Sequence, residues 1–221
     1  MTASVSAPGQ SRPRLRGVWH QWAFFVSLAC GAGLIVAAPA GDATMAAAIY
    51  AGAVSALLGT SALYHRITWR PRAKRWMRRL DHSMIFVLIA GTYTPVAVLA
   101  LSGSLATIVL CVVWAGAVVG VLRELVWADA PKALTAAVYV ALGWVALITA
   151  GQLPGAIGWL GVSGLAAGGL LYTAGAVVYA RRRPDPWPGT FGYHEVFHAL
   201  VVAAAALHYA VIAFAVVPRG A

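Results

Sequence analysis

Two histidines near the end of the sequence have the spacing of a metal-binding helix. In His194-Glu195-Val196-Phe197-His198 the two imidazoles are four residues apart, on one helix face and about 6 Å apart along the axis. A third imidazole, from His65, would complete three protein ligands and leave the fourth tetrahedral position of a zinc ion for water, as in catalytic zinc sites. We therefore predict that these histidines bind Zn²⁺, although three imidazoles also accept copper, nickel or cobalt.

Two further polar residues are predicted to act beside this metal. Ser61 lies one turn from His65 on the same helix face, where it could hydrogen-bond a ligand or the zinc-bound water. Asp81 brings a carboxylate that could hold and deprotonate that water. Ser61 and Asp81 are the predicted catalytic residues.

The elements that position these side chains are predicted to be membrane-spanning helices. Of the 221 residues 61% are hydrophobic and only 10% charged, with a mean hydropathy of +0.79. A soluble domain is about 25% charged, so this composition argues against a soluble globular enzyme. Helices are the default in lipid, which gives an all-α, multi-pass cell-membrane protein with a seven-helix bundle in residues 17–221. The predicted spans cover residues 22–40, 44–65, 81–100, 105–123, 133–150, 156–180 and 191–217.

The basic residues predict the orientation of this bundle. With the N-terminus inside, the cytoplasmic segments hold 15 of the 16 Lys and Arg residues, and only Arg219 lies outside. The positive-inside rule then predicts a cytoplasmic N-terminus and an external C-terminus. Span two ends at His65, and spans three and seven begin near Asp81 and His194, so the zinc site is expected near the cytoplasmic face.

The same distribution assigns the basic residues to the membrane rather than to nucleic acid, despite a net charge of +10. Seven of them lie in the 66–80 segment, which is predicted to be a loop that touches anionic lipid headgroups. Residues 1–16, rich in Ser, Pro and Arg, are predicted to form a disordered basic cytosolic tail. The first span is too long an apolar stretch for a signal peptide and is expected to be an uncleaved anchor.

The other polar residues of the spans are predicted to be structural. His20 is expected at an amphipathic helix edge, and His82 on a helix face turned away from the site. His208 lies too far along its helix to join the site and is expected to hydrogen-bond between helices. Glu124 is expected to form a solvated ion pair with Arg123.

Three stretches also carry a family resemblance. They are Ser61-Ala62-Leu63-Tyr64-His65, then Leu80-Asp81-His82 running into Ile89-Ala90-Gly91-Thr92-Tyr93-Thr94-Pro95, and Phe191-Gly192-Tyr193-His194-Glu195-Val196-Phe197-His198. Together they resemble the bacterial hemolysin III family, which is similar to the progestin and adiponectin receptors and, more remotely, to alkaline ceramidases. The resemblance covers nearly the whole chain. It implies zinc held by His65, His194 and His198, with Ser61 and Asp81 around the metal-bound water.

A second motif overlaps the first. His194-Glu195-x-x-His198 is also the zinc-protease signature, in which the glutamate is the general base. The sequence contains no Asn and no Asp-Gly pair, so the second motif expected of an intramembrane site-two protease is missing. The protease interpretation is therefore disfavoured, and Glu195 is left as an auxiliary acid.

Three functions follow from these patterns. The first is a zinc-dependent hydrolase of lipid amide or ester bonds, with a membrane lipid as substrate. The second is a non-enzymatic sensor or receptor for membrane homeostasis, with structural zinc, a lipid ligand and an unidentified cytosolic partner. The third, a pore-forming cytolysin, is weakly supported because no span carries the periodic polar stripe of an aqueous channel.

Overall fold

Seven helices build the protein in a computed structural model that describes residues 13–187 and 189–220. Each is long and apolar enough to cross a membrane, and the described residues contain no β-strand. The predicted all-α, seven-helix architecture is confirmed. The helices are α1 (Val18–Ala37), α2 (Asp42–Arg66), α3 (Pro71–Ala100), α4 (Gly103–Val126), α5 (Lys132–Gly143), α6 (Leu153–Arg181) and α7 (Tyr193–Val211). A 3₁₀ turn, Trp144–Thr149, extends α5, and a π turn, Ile212–Val216, followed by Val217–Gly220, extends α7.

Helix α3 starts ten residues earlier than predicted. The segment 66–80 was expected to be a loop, but residues 71–80 are helical and only 67–70 connect α2 to α3. Pro71 occupies the first turn, where its missing N–H costs no hydrogen bond. The prediction was wrong because it began the span close to the first uncharged residue, whereas a helix continues wherever long basic side chains can extend away from the apolar region.

Helix α6 contains a kink at Gly158. This residue has φ +69° and ψ 165°, a combination that glycine adopts readily and other residues avoid. The break predicted around residues 151–155 is present as the turn before α6, and the one predicted at 101–104 separates α3 from α4. Residues 81–123 and 133–180 are therefore each divided into two helices, as the predicted spans required.

Most helices of the bundle pack on helices next to them in the sequence, and contact between the first and last helices closes the bundle. Helix α2 packs between α1 and α3, α4 packs on α3, α6 packs between α5 and α7, and α1 meets α7. Small residues permit the close approaches. A Cβ added at Gly120 of α4 would lie 2.4 Å from the ring of Phe86, which is fully buried. Gly164 and Gly168 of α6 face Val211 and His208 of α7 in the same way.

One end of the bundle, called here the basic end, is formed by residues 13–17, 67–70, 127–131 and 182–192. The backbone N–H groups of Arg14 and Leu15 donate to the carbonyls of Gly189 and Thr190 at 3.2 and 3.1 Å. The last four residues of the predicted tail, 13–16, are thus held against the segment before α7. The rest of that tail, residues 1–12, lies outside the described residues.

The contact between α3 and α4 yields a stability prediction. Gly120→Ala should lower the thermal unfolding midpoint of the detergent-purified protein, because the new methyl group overlaps Phe86 and overpacking costs about 1–3 kcal/mol. Gly52→Ala in α2 is the matched control, since a Cβ there meets no atom within 4 Å. Equal midpoints for the two variants would contradict the packing described here.

Candidate metal centre

Three buried imidazoles from two helices meet close to the basic end. His65 is in the last turn of α2, whereas His194 and His198 occupy the first two turns of α7. Their ring centroids are 4.6 to 5.0 Å apart, and the side chains are 5%, 9% and 2% exposed, respectively. The fold therefore brings His65 next to His194, which lies 129 positions further along the chain.

The donor atoms of this cluster lie close enough together to form a metal site. One ring nitrogen from each histidine lies within 4.8 Å of the other two, and the Nε2 atoms of His65 and His194 are 3.1 Å apart. Two nitrogens bound to one tetrahedral zinc at 2.0–2.1 Å would be about 3.3 Å apart. The buried Nδ1 of His198 has no hydrogen-bond partner among the described residues. These three histidines could hold one divalent metal ion if their side chains draw closer together.

Both predicted catalytic residues lie beside the cluster. The Asp81 carboxylate Oδ2 is 3.8 Å from Nε2 of His65, and its side chain is 11% exposed. Ser61, 3% exposed and one turn before His65 on α2, faces the same carboxylate. The structure thus joins α2, α3 and α7 at one small polar site, as their depths in the sequence predicted.

A fourth histidine is also present, and its predicted place was wrong. His20 of α1 was expected at an exposed helix edge, but it is 2% exposed and stacks on His198 with centroids 3.8 Å apart and planes 11° apart. An imidazole binds a metal in its own ring plane, so two parallel stacked rings cannot bind the same ion. His20 therefore lies beside the ligand set but outside it. Its depth, one turn into α1 at the basic end, was the available signal.

Glu195 is fully buried and already engaged. One carboxylate oxygen forms an ion pair with the Arg16 guanidinium, and Oε2 accepts a hydrogen bond from the Gly192 N–H at 2.9 Å. This arrangement caps the N-terminus of α7. A carboxylate held in this way is not available as the general base of a zinc protease, which removes the chemical role that the second motif requires.

A second buried ion pair lies on α4. Glu124 pairs with Arg123 at 2.5 Å as predicted, but it is 1% exposed rather than solvated. Its Oε2 is also 3.5 Å from Nδ1 of His82, and Arg123 donates to the Thr135 hydroxyl at 2.6 Å. The exposure was mispredicted because the start of α5 and the side chain of His82 cover this end of α4. His208 bonds between helices as predicted, with Nε2 3.0 Å from the Leu165 carbonyl of α6.

The cluster opens onto an internal cavity of about 140 Å³. His20, Ser61, Asp81 and His198 line one part of it, whereas His208 lines another part, ten residues or about 15 Å further along α7. The wall between them is largely apolar and includes the following side chains: Leu57, Ile85, Leu88, Ala176, Phe197 and Val201. The polar site therefore adjoins a largely apolar cavity inside the bundle.

Comparison with known proteins places this architecture in a family. Residues 9–209 match the family model described as "Haemolysin-III related". A hemolysin-3 homolog of Bacillus subtilis is 32% identical over 155 residues, or 70% of each chain. Hemolysin-3 of Bacillus cereus is 29% identical over 177 residues, which cover 80% of this chain and 78% of that one. An adiponectin receptor protein of Drosophila melanogaster is 42% identical over 72 residues, 30% of this chain and 14% of the receptor. The resemblance expected from the motifs is confirmed: the chain belongs to the Haemolysin-III related family and is a multi-pass membrane protein.

Proposed function

We propose that this protein is a zinc-dependent hydrolase that cleaves amide or ester bonds of membrane lipids. The observation that carries the proposal is the buried cluster of His65, His194 and His198 beside a buried carboxylate, at the end of an apolar cavity. Three histidine ligands, with no carboxylate as a fourth protein ligand, are typical of a zinc site that keeps one position open for catalysis.

The chemistry divides between the metal and the protein. When bound, zinc acts as a Lewis acid on the scissile carbonyl and lowers the pKa of water. The Asp81 carboxylate accepts a proton from the attacking water as the new carbon–oxygen bond forms. It then returns that proton to the amine or alcohol as the old carbon–nitrogen or carbon–oxygen bond breaks. The Ser61 hydroxyl faces Asp81 and orients it.

The small volume and apolar lining of the cavity favour a lipid with one hydrocarbon chain as the substrate. Its wall beyond the polar residues is apolar, and it continues along α7 for about 15 Å from His198 to His208. A volume of about 140 Å³ is close to that of an engineered cavity that binds benzene, so a whole chain enters only as the lining side chains move apart. A cavity of this small volume favours a single chain over a bulky two-chain lipid.

The charge distribution supports a cytoplasmic location for the basic end. Arginines and lysines precede α1, end α2, α4 and α6, and begin α3 and α5, which brings 14 of the 15 basic residues in the described part of the chain to this end. We therefore propose that the N-terminus is cytoplasmic, that the C-terminus is outside, and that the 66–80 segment contacts anionic headgroups of the inner leaflet.

A second candidate, a non-enzymatic sensor, is favoured by one observation. Within the described residues α2 and α7 make few close backbone contacts and meet mainly through side chains, both in the histidine cluster and in an apolar contact of Leu57 and Leu58 with Val201. A metal bound by His65 and the two α7 histidines would then pin these helices together, and lipid entering the cavity would act on that clamp. A cytolytic pore is the least supported function, because the cavity wall is apolar.

The ligand set generates a metal-binding prediction. His65→Ala, His194→Ala and His198→Ala should each lose most of the zinc that the wild type retains after dialysis, because two imidazoles bind far more weakly than three. Inductively coupled plasma mass spectrometry of detergent-purified protein measures this. His20→Phe is the matched control: it keeps the stacked ring, lies outside the ligand set, and should retain one zinc per chain. Full retention of zinc in all three alanine variants would contradict the assignment of these histidines as the ligands.

The assigned role of Asp81 generates a second prediction. Asp81→Asn should keep zinc, because all three imidazoles remain, but should lower the hydrolysis rate by about 10²- to 10⁴-fold through loss of the proton acceptor. Ser61→Ala should be milder, with about a 10- to 100-fold loss. The assay is turnover of a panel of long-chain acyl amides and esters in detergent.

Two outcomes would contradict the enzymatic proposal at different points. A zinc-loaded Asp81→Asn protein that cleaves a wild-type substrate at the wild-type rate would exclude this residue as the base. If zinc-loaded wild type turns over none of the panel, the hydrolase proposal gives way to the sensor.

The orientation is testable on the full chain. Green fluorescent protein placed before Met1 should fluoresce, since it folds in the cytoplasm, and alkaline phosphatase placed after Ala221 should be active, since it folds outside. The reverse pattern, or both termini on one side, would contradict the proposed topology.

A further inference from the structure

His20 presents two unused hydrogen-bonding atoms to the inside of the protein. Its side chain is 2% exposed and lines the cavity together with Ser61, Asp81 and His198. The ring approaches the backbone of His198, yet neither Nδ1 nor Nε2 has a hydrogen-bond partner of acceptable geometry among the described residues. Leaving a buried polar group unpaired costs about 1–3 kcal/mol, so such atoms normally have a partner.

The metal cannot be that partner while the ring keeps this position. His20 is stacked face to face on His198, and parallel rings do not share an ion in both of their planes. The stack does have a second consequence. It fixes the plane of the His20 ring, so that its nitrogen atoms keep one direction relative to the cavity and need little ordering when something binds.

The surroundings define the kind of group that His20 can receive. Arg16, the basic side chain that approaches this side of the site, is already paired with Glu195, and the Asp81 carboxylate lines the same cavity. A neutral imidazole carries one N–H donor and one acceptor nitrogen, which suits an amide or a hydroxyl.

We infer that His20 is a substrate-contacting residue that hydrogen-bonds the neutral polar head of a single-chain lipid, an amide or a hydroxyl group, when that lipid occupies the cavity. The inference rests on the proposed function, because it takes the cavity to be the lipid site. It adds a residue from α1 to a site otherwise built by α2, α3 and α7. It also makes the lipid head, rather than the chain alone, a determinant of which lipids are accepted.

The test uses His20→Phe, which keeps an aromatic ring against His198 and removes both nitrogen atoms. The probes are dodecanamide and dodecane, whose binding to zinc-loaded, detergent-purified protein is measured by competition against a fluorescent fatty-acid analogue, at times too short for the amide to be hydrolysed. The wild type should prefer the amide. His20→Phe should reduce that preference about 2- to 12-fold, the contribution of one neutral hydrogen bond, with dodecane binding unchanged.

Two measurements separate this role from a structural one. A merely structural defect would weaken both probes equally and leave their ratio unchanged, and it would also lower the zinc content. Thr173→Val is the matched control on the cavity wall, because the Thr173 hydroxyl is already bonded to Trp144 and Gly169. It should leave the amide preference at the wild-type value.

The possible failures are distinguishable. If wild type and His20→Phe show the same amide preference, the role of His20 is refuted while the lipid cavity stands. If the wild type binds neither probe, the lipid-binding cavity itself is refuted, and with it both this inference and the proposed function. Loss of zinc from His20→Phe would instead show that the residue supports the metal centre, as a ligand or through its packing, and would overturn the inference.

Discussion

The structure depends on the burial of ionisable side chains among apolar helices. In a lipid environment a polar group has no water with which to hydrogen-bond, so each polar group must pair with another group of the protein or bind a ligand. His65, His194, His198 and Asp81 satisfy this requirement by gathering at one point. Helices α2 and α3 are thereby fixed against α7, the last helix of the chain, and this convergence creates the site.

Two buried ion pairs extend the same constraint around the site. Glu195 and Arg16 tie α7 to the segment before α1, and Glu124, Arg123 and His82 link α4 to α3. Buried pairs of this kind contribute little net stability, but removing one partner leaves a charge uncompensated and is costly. Their value here is geometric: they hold the helix ends that surround the histidines in one arrangement.

The family assignment and the site geometry answer different questions. Similarity to hemolysin-3 proteins and to an adiponectin receptor establishes the family and the membrane architecture. It does not by itself assign a reaction, because one architecture can carry an enzyme or a receptor. The case for hydrolysis comes from the position of Asp81 and Ser61 beside the imidazoles, and the case for a sensor comes from the way the cluster bridges α2 and α7.

The sequence by itself determined the seven helices and predicted the histidines that the structure brings together. Long uncharged runs leave helices as the natural solution in lipid, and the depth of a residue in its run places it in one layer of the bundle, which was enough to group His65, His194 and Asp81. Depth carries no information on which way a side chain faces around its helix when nearly every neighbour is apolar. Only the packing of α1 on α7 decided that His20 lies under His198, and only the cover over α4 decided that Glu124 is buried. These are contacts between helices, and they depend on rotations about helix axes that a uniformly apolar sequence does not record.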